Sequence, residues 1–190
     1  MVFDEKEVSM NAFESVIAML LDREGYWVKP TFKVQLTKGE KKRIGSPPCP
    51  RWELDLIAYK ASTNTVLVVE CKSYLDSRGV TSTGFIGDKE SVKKRYKLFN
   101  EKILRETVFE RLAIQLRGLG LVSGEPKIKL CLAAGNIASE NDRKLITQHF
   151  HEQSWLLFDD VWMRDKLRKI SESRYENDVT SIVSKILLRD

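Results

Sequence analysis

Cysteine is scarce: Cys49, Cys71 and Cys131 are the three in 190 residues. Odd in number and scattered, with no Cys-x-x-Cys, they argue against a zinc cluster and for a reduced, cytoplasmic setting without structural disulfides. Histidine is scarcer still. His149 and His151 stand two apart in a helical pattern, point in different directions and make no simple ligand pair. No apolar run approaches the ~20 residues that a membrane-spanning helix needs. The N-terminal residues Met1-Val-Phe-Asp-Glu-Lys-Glu7 are acidic, with no hydrophobic signal segment. Gly-x-x-x-x-Gly-Lys, Gly-x-Gly-x-x-Gly and Gly-x-Ser-x-Gly are all missing, so the commonest nucleotide-cradling and serine-hydrolase signatures do not apply. No internal repeat, low-complexity segment or linker divides the chain.

What is there is ordinary for a globular protein: 42% hydrophobic and 31% charged residues. Residues 1–190 are expected to form one domain, large enough to bury a real core. The net charge of +5 permits a polyanionic partner without demanding one.

Periodicity predicts a first helix from about Asp4 to Glu24, with Phe13, Val16, Ile17 and Leu20 on one face and Gly25 as its stop. Tyr26–Leu36 reads as a strand that Pro30 confines to an edge or a bulge. A basic loop, Lys38–Arg43, leads into the stiff Pro47-Pro48-Cys49-Pro50. Ser73–Gly87, rich in Gly, Ser and Thr, is a candidate substrate-contacting flap. Asp88 to Leu119 has helical spacing, as one long helix or two with a break. A strand over Lys127–Ala134, a helix from Ser139 to Gln153, a short strand at Trp155–Phe158 and helices over Asp160–Ser173 and Asn177–Leu188 complete the chain. Strands alternating with helices predict an α/β domain, a central mixed β-sheet flanked by helices.

The densest chemistry lies in Trp52-Glu-Leu-Asp-Leu-Ile-Ala-Tyr59 and Thr65-Val-Leu-Val-Val-Glu-Cys-Lys-Ser-Tyr74, two strands joined by the turn Ala61–Asn64. If Lys60 pairs with Thr65, antiparallel register sets Asp55 opposite Glu70 and Glu53 opposite Lys72. Strict alternation puts Glu53 on the face of Asp55, and Glu70 on that of Lys72. Like charges ~5 Å apart at Cβ destabilise a ladder. A divalent cation between Asp55 and Glu70 would relieve the repulsion. Cys71 faces the other way, toward the core. Glu53 is expected as an ordinary ion-pair partner of Lys72, with a supporting place beside the site as the alternative.

Asp55 followed by Glu70-Cys71-Lys72 resembles the PD-(D/E)xK nuclease superfamily, of restriction-endonuclease-like fold. Leu54 stands where the family usually has Pro. The specific motif spans Asp55 to Lys72, while the resemblance covers about Phe3 to Asp159, with helices from Asp160 to Asp190 appended. It implies a Mg²⁺ (or Mn²⁺) ion held by Asp55, Glu70 and the Cys71 backbone carbonyl. Glu14, on the first helix, would join directly or through water. Lys72 would be the catalytic lysine, and Gln115 a supporting residue on the following helix. The activity implied is hydrolysis of phosphodiester bonds, most readily in duplex or branched DNA, by an endonuclease of restriction, repair or junction-cutting type. Lys41, Lys42, Arg43, Lys93, Lys94 and Arg95 are the candidate contacts to nucleic acid. A homodimer is implied by resemblance alone. Two rivals stand beside this reading: a non-catalytic nucleic-acid-binding module on the same fold, and an interaction domain whose sheet carries a charge network.

Overall fold

The computed structural model describes residues 11–45 and 51–188. The first helix, α1 (Ala12–Arg23), starts at Asn11, whose side-chain oxygen accepts the Phe13 N–H at 2.9 Å. The start expected at Asp4 lies outside the described residues. There follow β1 (Trp27–Val34), α2 (Lys38–Arg43), β2 (Trp52–Lys60), β3 (Thr65–Lys72), α3 (Glu90–Lys93), α4 (Lys97–Asn100) and α5 (Lys102–Gly118). The chain continues through β4 (Lys127–Ala134), α6 (Glu140–Glu152), β5 (Leu156–Phe158), α7 (Asp160–Glu172) and α8 (Val179–Leu188). Among the described residues, no helix is long and apolar enough to cross a membrane.

The strands form one mixed open sheet in the order β1-β2-β3-β4-β5. β1, β2 and β3 are antiparallel neighbours, and β4 and β5 add in parallel through helical crossovers. β3 is central, so its apolar run is covered on both sides. Val66 and Val68 pack under α4, α5 and α6, with Leu104, Val108, Leu112 and Phe150. Leu67 and Val69 pack against α1 and α7, with Ile17, Leu20, Leu21 and Met163. Each such side chain contributes roughly 1.5–3 kcal/mol by leaving water. Pro30 sits on the edge strand β1, where its missing N–H breaks no interior ladder.

Two expectations are corrected. Lys38–Arg43 is a helix rather than a loop, because Thr37 and Glu40 form a capping box and Glu40 pairs with Arg111 of α5 at 2.7 Å. Pro47-Pro48-Cys49-Pro50 lies outside the described residues. The stretch after Asp88 is three helices. Asn100 Nδ2 donates to the carbonyls of Gly84, Lys93 and Tyr96, and Arg105 to those of Leu98 and Phe99, so side chains take up what a continuous helix would have satisfied. Finally, the segment expected as a flap is fastened at its far end. Val80 bridges Ile137, and the Ser82 N–H and hydroxyl both donate to Asp142 at 2.7 Å.

Candidate active site at the splayed end of β2 and β3

The β2–β3 ladder runs in the expected register, from Lys60↔Thr65 to Leu56↔Val69, and stops there. The next rung would have set Asp55 against Glu70. Instead the Asp55 carboxylate accepts the Cys71 N–H at 2.7 Å, a side chain standing in for the missing strand. N–H and C=O groups of one residue leave a strand on the same side. The Cys71 carbonyl is therefore aimed toward Asp55, into the gap where β2 turns away.

A break in alternation makes this possible. Leu54 and Leu56 fall on opposite faces of the sheet, as do Phe32 and Val28 of β1, the partners of Leu54 and Ala58. The phase changes at Asp55 and its β1 neighbour Thr31, which has φ +49°. A β-branched residue in the left-handed region carries about 1–3 kcal/mol of strain. Asp55 is thereby turned into the plane of the sheet, between α1 on one side and Glu70 with Lys72 on the other. Glu53 still acts on Glu14, as Asp55 does, though more weakly. Glu53 is exposed and reaches Lys33 of β1 at 3.9 Å, while Lys72 pairs with Glu70 at 2.8 Å. The expected Glu53–Lys72 pair does not form because the strands have parted before reaching it.

Four charged groups converge here from three elements: Glu14 of α1, Asp55 of β2, and Glu70 and Lys72 of β3. Burial pushes the Glu14 carboxyl above its ordinary pKa, and the Asp55 charge adds to this. Burial raises Glu70 as well, against the pull of Lys72. Burial also works against the Lys72 ammonium, but the Glu70 and Asp55 carboxylates outweigh it and hold the amine more firmly protonated than usual. The Cys71 thiol, pushed far up by burial and then by the Asp55 charge, is no nucleophile at neutral pH.

Carboxylates kept out of water beside one another, with a backbone carbonyl, make a hard-oxygen donor set of the kind that suits Mg²⁺. Among the described residues no three His, Cys, Asp or Glu side chains stand so as to hold an ion jointly. The set that fits is two carboxylates, Asp55 and Glu70, with the Cys71 carbonyl. Glu14 lies within the electrostatic reach of Asp55, Glu53 and Lys72.

The other residues singled out from sequence are dispersed. Gln115 spends both ends of its amide on the edge strand: Oε1 accepts from Gln35 N and Nε2 donates to the Lys33 carbonyl, each at 3.0 Å. It therefore tethers β1 to α5. Arg43 pairs with Glu110 at 3.2 Å, and Lys42 beside it is exposed. On α3 and just after it, Lys93 is half-buried while Lys94 and Arg95 are exposed. Two neighbours of the site were not legible. Tyr74, with φ +43°, leaves β3 by a left-handed step, and its hydroxyl shares a hydrogen bond with that of the buried Tyr96. Nothing in the sequence marks Tyr74 for that conformation.

The chain matches no protein-family model, no curated protein and no solved structure.

Proposed function

We propose that this is a metal-dependent nuclease of restriction-endonuclease-like fold that hydrolyses phosphodiester bonds, with DNA as its substrate. The observation that carries the reading is the meeting of Asp55, Glu70 and Lys72 where β2 and β3 part, in place of an ordinary ladder rung. Asp55, Glu70 and the Cys71 carbonyl would hold a Mg²⁺ or Mn²⁺ ion, with Glu14 reaching it through water. When bound, the ion polarises the scissile phosphate and lowers the pKa of its water.

The protein's own side chains supply the rest. Lys72, kept charged by its carboxylate neighbours, donates hydrogen bonds to the attacking water or to the phosphoryl oxygens as negative charge grows on them. Glu70 sets the position of the ammonium through their 2.8 Å contact. Glu14 and Asp55 together keep the pocket electronegative, so that it favours a cation over a second lysine. Cys71 packs its thiol against the α1 side of the core and offers only backbone to the site. The free thiols of Cys71 and Cys131 are in keeping with a reducing, cytoplasmic setting.

A second reading, a nucleic-acid-binding module without catalysis, is favoured by two observations. Glu70 is already neutralised by Lys72, and no three ligating side chains meet around a common point among the described residues. A cleavage assay on plasmid, linear and branched DNA with Mg²⁺ or Mn²⁺ separates the two. Cutting that disappears with EDTA, in Asp55→Ala and in Lys72→Ala is the expected result. Shifted DNA mobility without cutting, and no divalent ion bound by titration calorimetry, would sink the nuclease reading and leave the binding module.

A further inference from the structure

Next to the acidic site, beyond the left-handed step at Tyr74, lies a cleft of about 200 Å³. Tyr74, Ser77, Arg78, Thr81, Arg95 and Tyr96 line it. Its two guanidinium groups come from different segments, the loop after β3 and the end of α3, and both arginines are exposed. Among the described residues neither makes an ion pair, although Arg78 lies in the field of Asp142. By contrast, Arg23, Arg43, Arg111, Arg117, Arg143 and Arg164 each pair with a carboxylate.

The walls are built to stay in place. Gly79 has φ +95°, and a Cβ there would stand 2.8 Å from the Asn136 carbonyl oxygen, so the loop closes tightly on the turn after β4. Asn136 Nδ2 donates to the Ser77 carbonyl at 3.0 Å on the other side of that turn. Tyr96 is held between the Phe85 ring, at 4.6 Å, and Gly84, where a Cβ would meet its ring at 2.7 Å. The Ser77 hydroxyl is spent on the Tyr74 carbonyl at 3.3 Å and that of Thr81 is shared with Thr83 at 2.8 Å, so the groups that suit a tetrahedral oxyanion are the two guanidiniums, which among the described residues make no ion pair. Tyr74 and Tyr96 connect it to Lys72 and Glu70, whose charges act on them.

We propose that this cleft is a phosphate subsite, seating a phosphate of a nucleic-acid strand, internal diester or terminal monoester, while a neighbouring linkage lies over Asp55, Glu70 and Lys72. The inference rests on the nuclease reading and gives it a direction: the substrate strand runs from the end of β3 across the tyrosine pair to the loop bearing Arg78. Arg78 and Arg95 are positioning residues, since they hold the strand without touching the reacting atoms.

The test uses fluorescein-labelled 20-mer duplexes, with and without a 5′-phosphate, and anisotropy titrations over a salt series in EDTA. Wild type is compared with Arg78→Gln/Arg95→Gln and with Arg164→Gln/Arg168→Gln. The second pair removes the same charge from α7, which packs on the opposite face of the sheet. Expected for the cleft pair is a loss of affinity of at least tenfold at moderate salt, with the slope of log K against log salt shallower by about 1 for each arginine. Loss on both duplexes identifies an internal diester, and loss confined to the phosphorylated one a terminal monoester. Equal behaviour of the two double variants overturns the subsite while leaving the nuclease reading intact. Failure of wild type to bind either duplex overturns the subsite, and the cleavage assay with Mg²⁺ or Mn²⁺ decides the nuclease reading separately.

Discussion

The same two strands behave in opposite ways at their two ends. Between the polar rung Lys60↔Thr65 and Leu56↔Val69, β2 and β3 are a regular ladder of apolar side chains, packed on both faces. One residue further the ladder is gone, Asp55 holds the Cys71 N–H, and three carboxylates and a lysine occupy the space. The closed end tolerates no charge and supplies stability. The open end tolerates four charges because its strands have separated. That separation is bought with strain at Thr31 and, just beyond β3, at Tyr74. Strained, polar and poorly paired backbone next to a well-packed ladder is the division of labour expected of a scaffold and a site. The sharpest way to break the comparison is at the open end. Asp55→Asn and Lys72→Ala are expected to lower the cleavage rate by roughly 10²–10³-fold or more, about 3–4 kcal/mol of barrier. The melting temperature of Asp55→Asn should move little, because the bond to Cys71 that it weakens is offset by relief of the repulsion with Glu14. Single-turnover rates beside thermal melts decide this. A collapse of stability with no loss of rate would make the open end structural.

The reverse pattern is expected one residue away. Leu56 is fully buried at the last rung of the closed end. Leu56→Ala should remove about 2–5 kcal/mol of stability through lost transfer energy and the cavity left behind. Measured well below the melting temperature with saturating metal, its cleavage rate should stay within a few-fold of wild type. Urea denaturation beside a cleavage assay reads both quantities. A rate loss as large as that of Lys72→Ala would mean that the two ends are not separable.

The closed end was legible in the sequence and the open end only in part, for a physical reason. The register of β2 and β3 follows from apolar side chains in both strands and a short polar turn, all local in sequence. The parting of the strands depends on Thr31, which is remote in sequence, and on a side chain displacing a backbone partner. Alternation alone therefore assigned Glu53 to the wrong neighbour. The residue types of the site could be read, since Asp55, Glu70 and Lys72 are unusual company for Val and Leu. Their geometry could not. The Thr37–Glu40 capping box was present in the sequence and was obscured by the basic residues around it. The breaks between α3, α4 and α5 were beyond reach, because Asn100 and Arg105 satisfy carbonyls that periodicity cannot assign.

The fastening of the loop after β3 gives a smaller effect that extends the contrast away from the strands. Asp142 takes two hydrogen bonds from Ser82 and one from the Ser139 hydroxyl, and its own N–H caps α6 through Ser139. Burial alone would raise its carboxyl, but these bonds outweigh it and hold the group below the usual carboxylate range. A depressed folded-state pKa means that the stabilisation is complete above the unfolded value of about 3.9 and is lost as pH falls through the folded one. Asp142→Asn is therefore expected to lower stability by about 1–2 kcal/mol at pH 7. The gap to wild type should narrow in acid, below about pH 4. Urea titrations at neutral and acid pH test it, and a gap that widened in acid would contradict the sign.

The smallest effect asks whether the phase change at Asp55 has been located correctly. Glu53 and Asp55 are two apart on β2 and, under strict alternation, would serve the same site. In the fold Glu53 is exposed, pairs with Lys33 at a long 3.9 Å and acts on Glu14 more weakly than Asp55 does. An exposed pair of that kind contributes at most about 0.5 kcal/mol. Glu53→Gln should leave the melting curve and the cleavage rate nearly unchanged, while Asp55→Asn, conservative in the same sense, is expected to remove the proposed activity. The pair of variants isolates facing from charge, since each deletes one negative charge from the same strand end. A rate loss in Glu53→Gln comparable to that in Asp55→Asn would return Glu53 to the site and place the break in alternation elsewhere on β2.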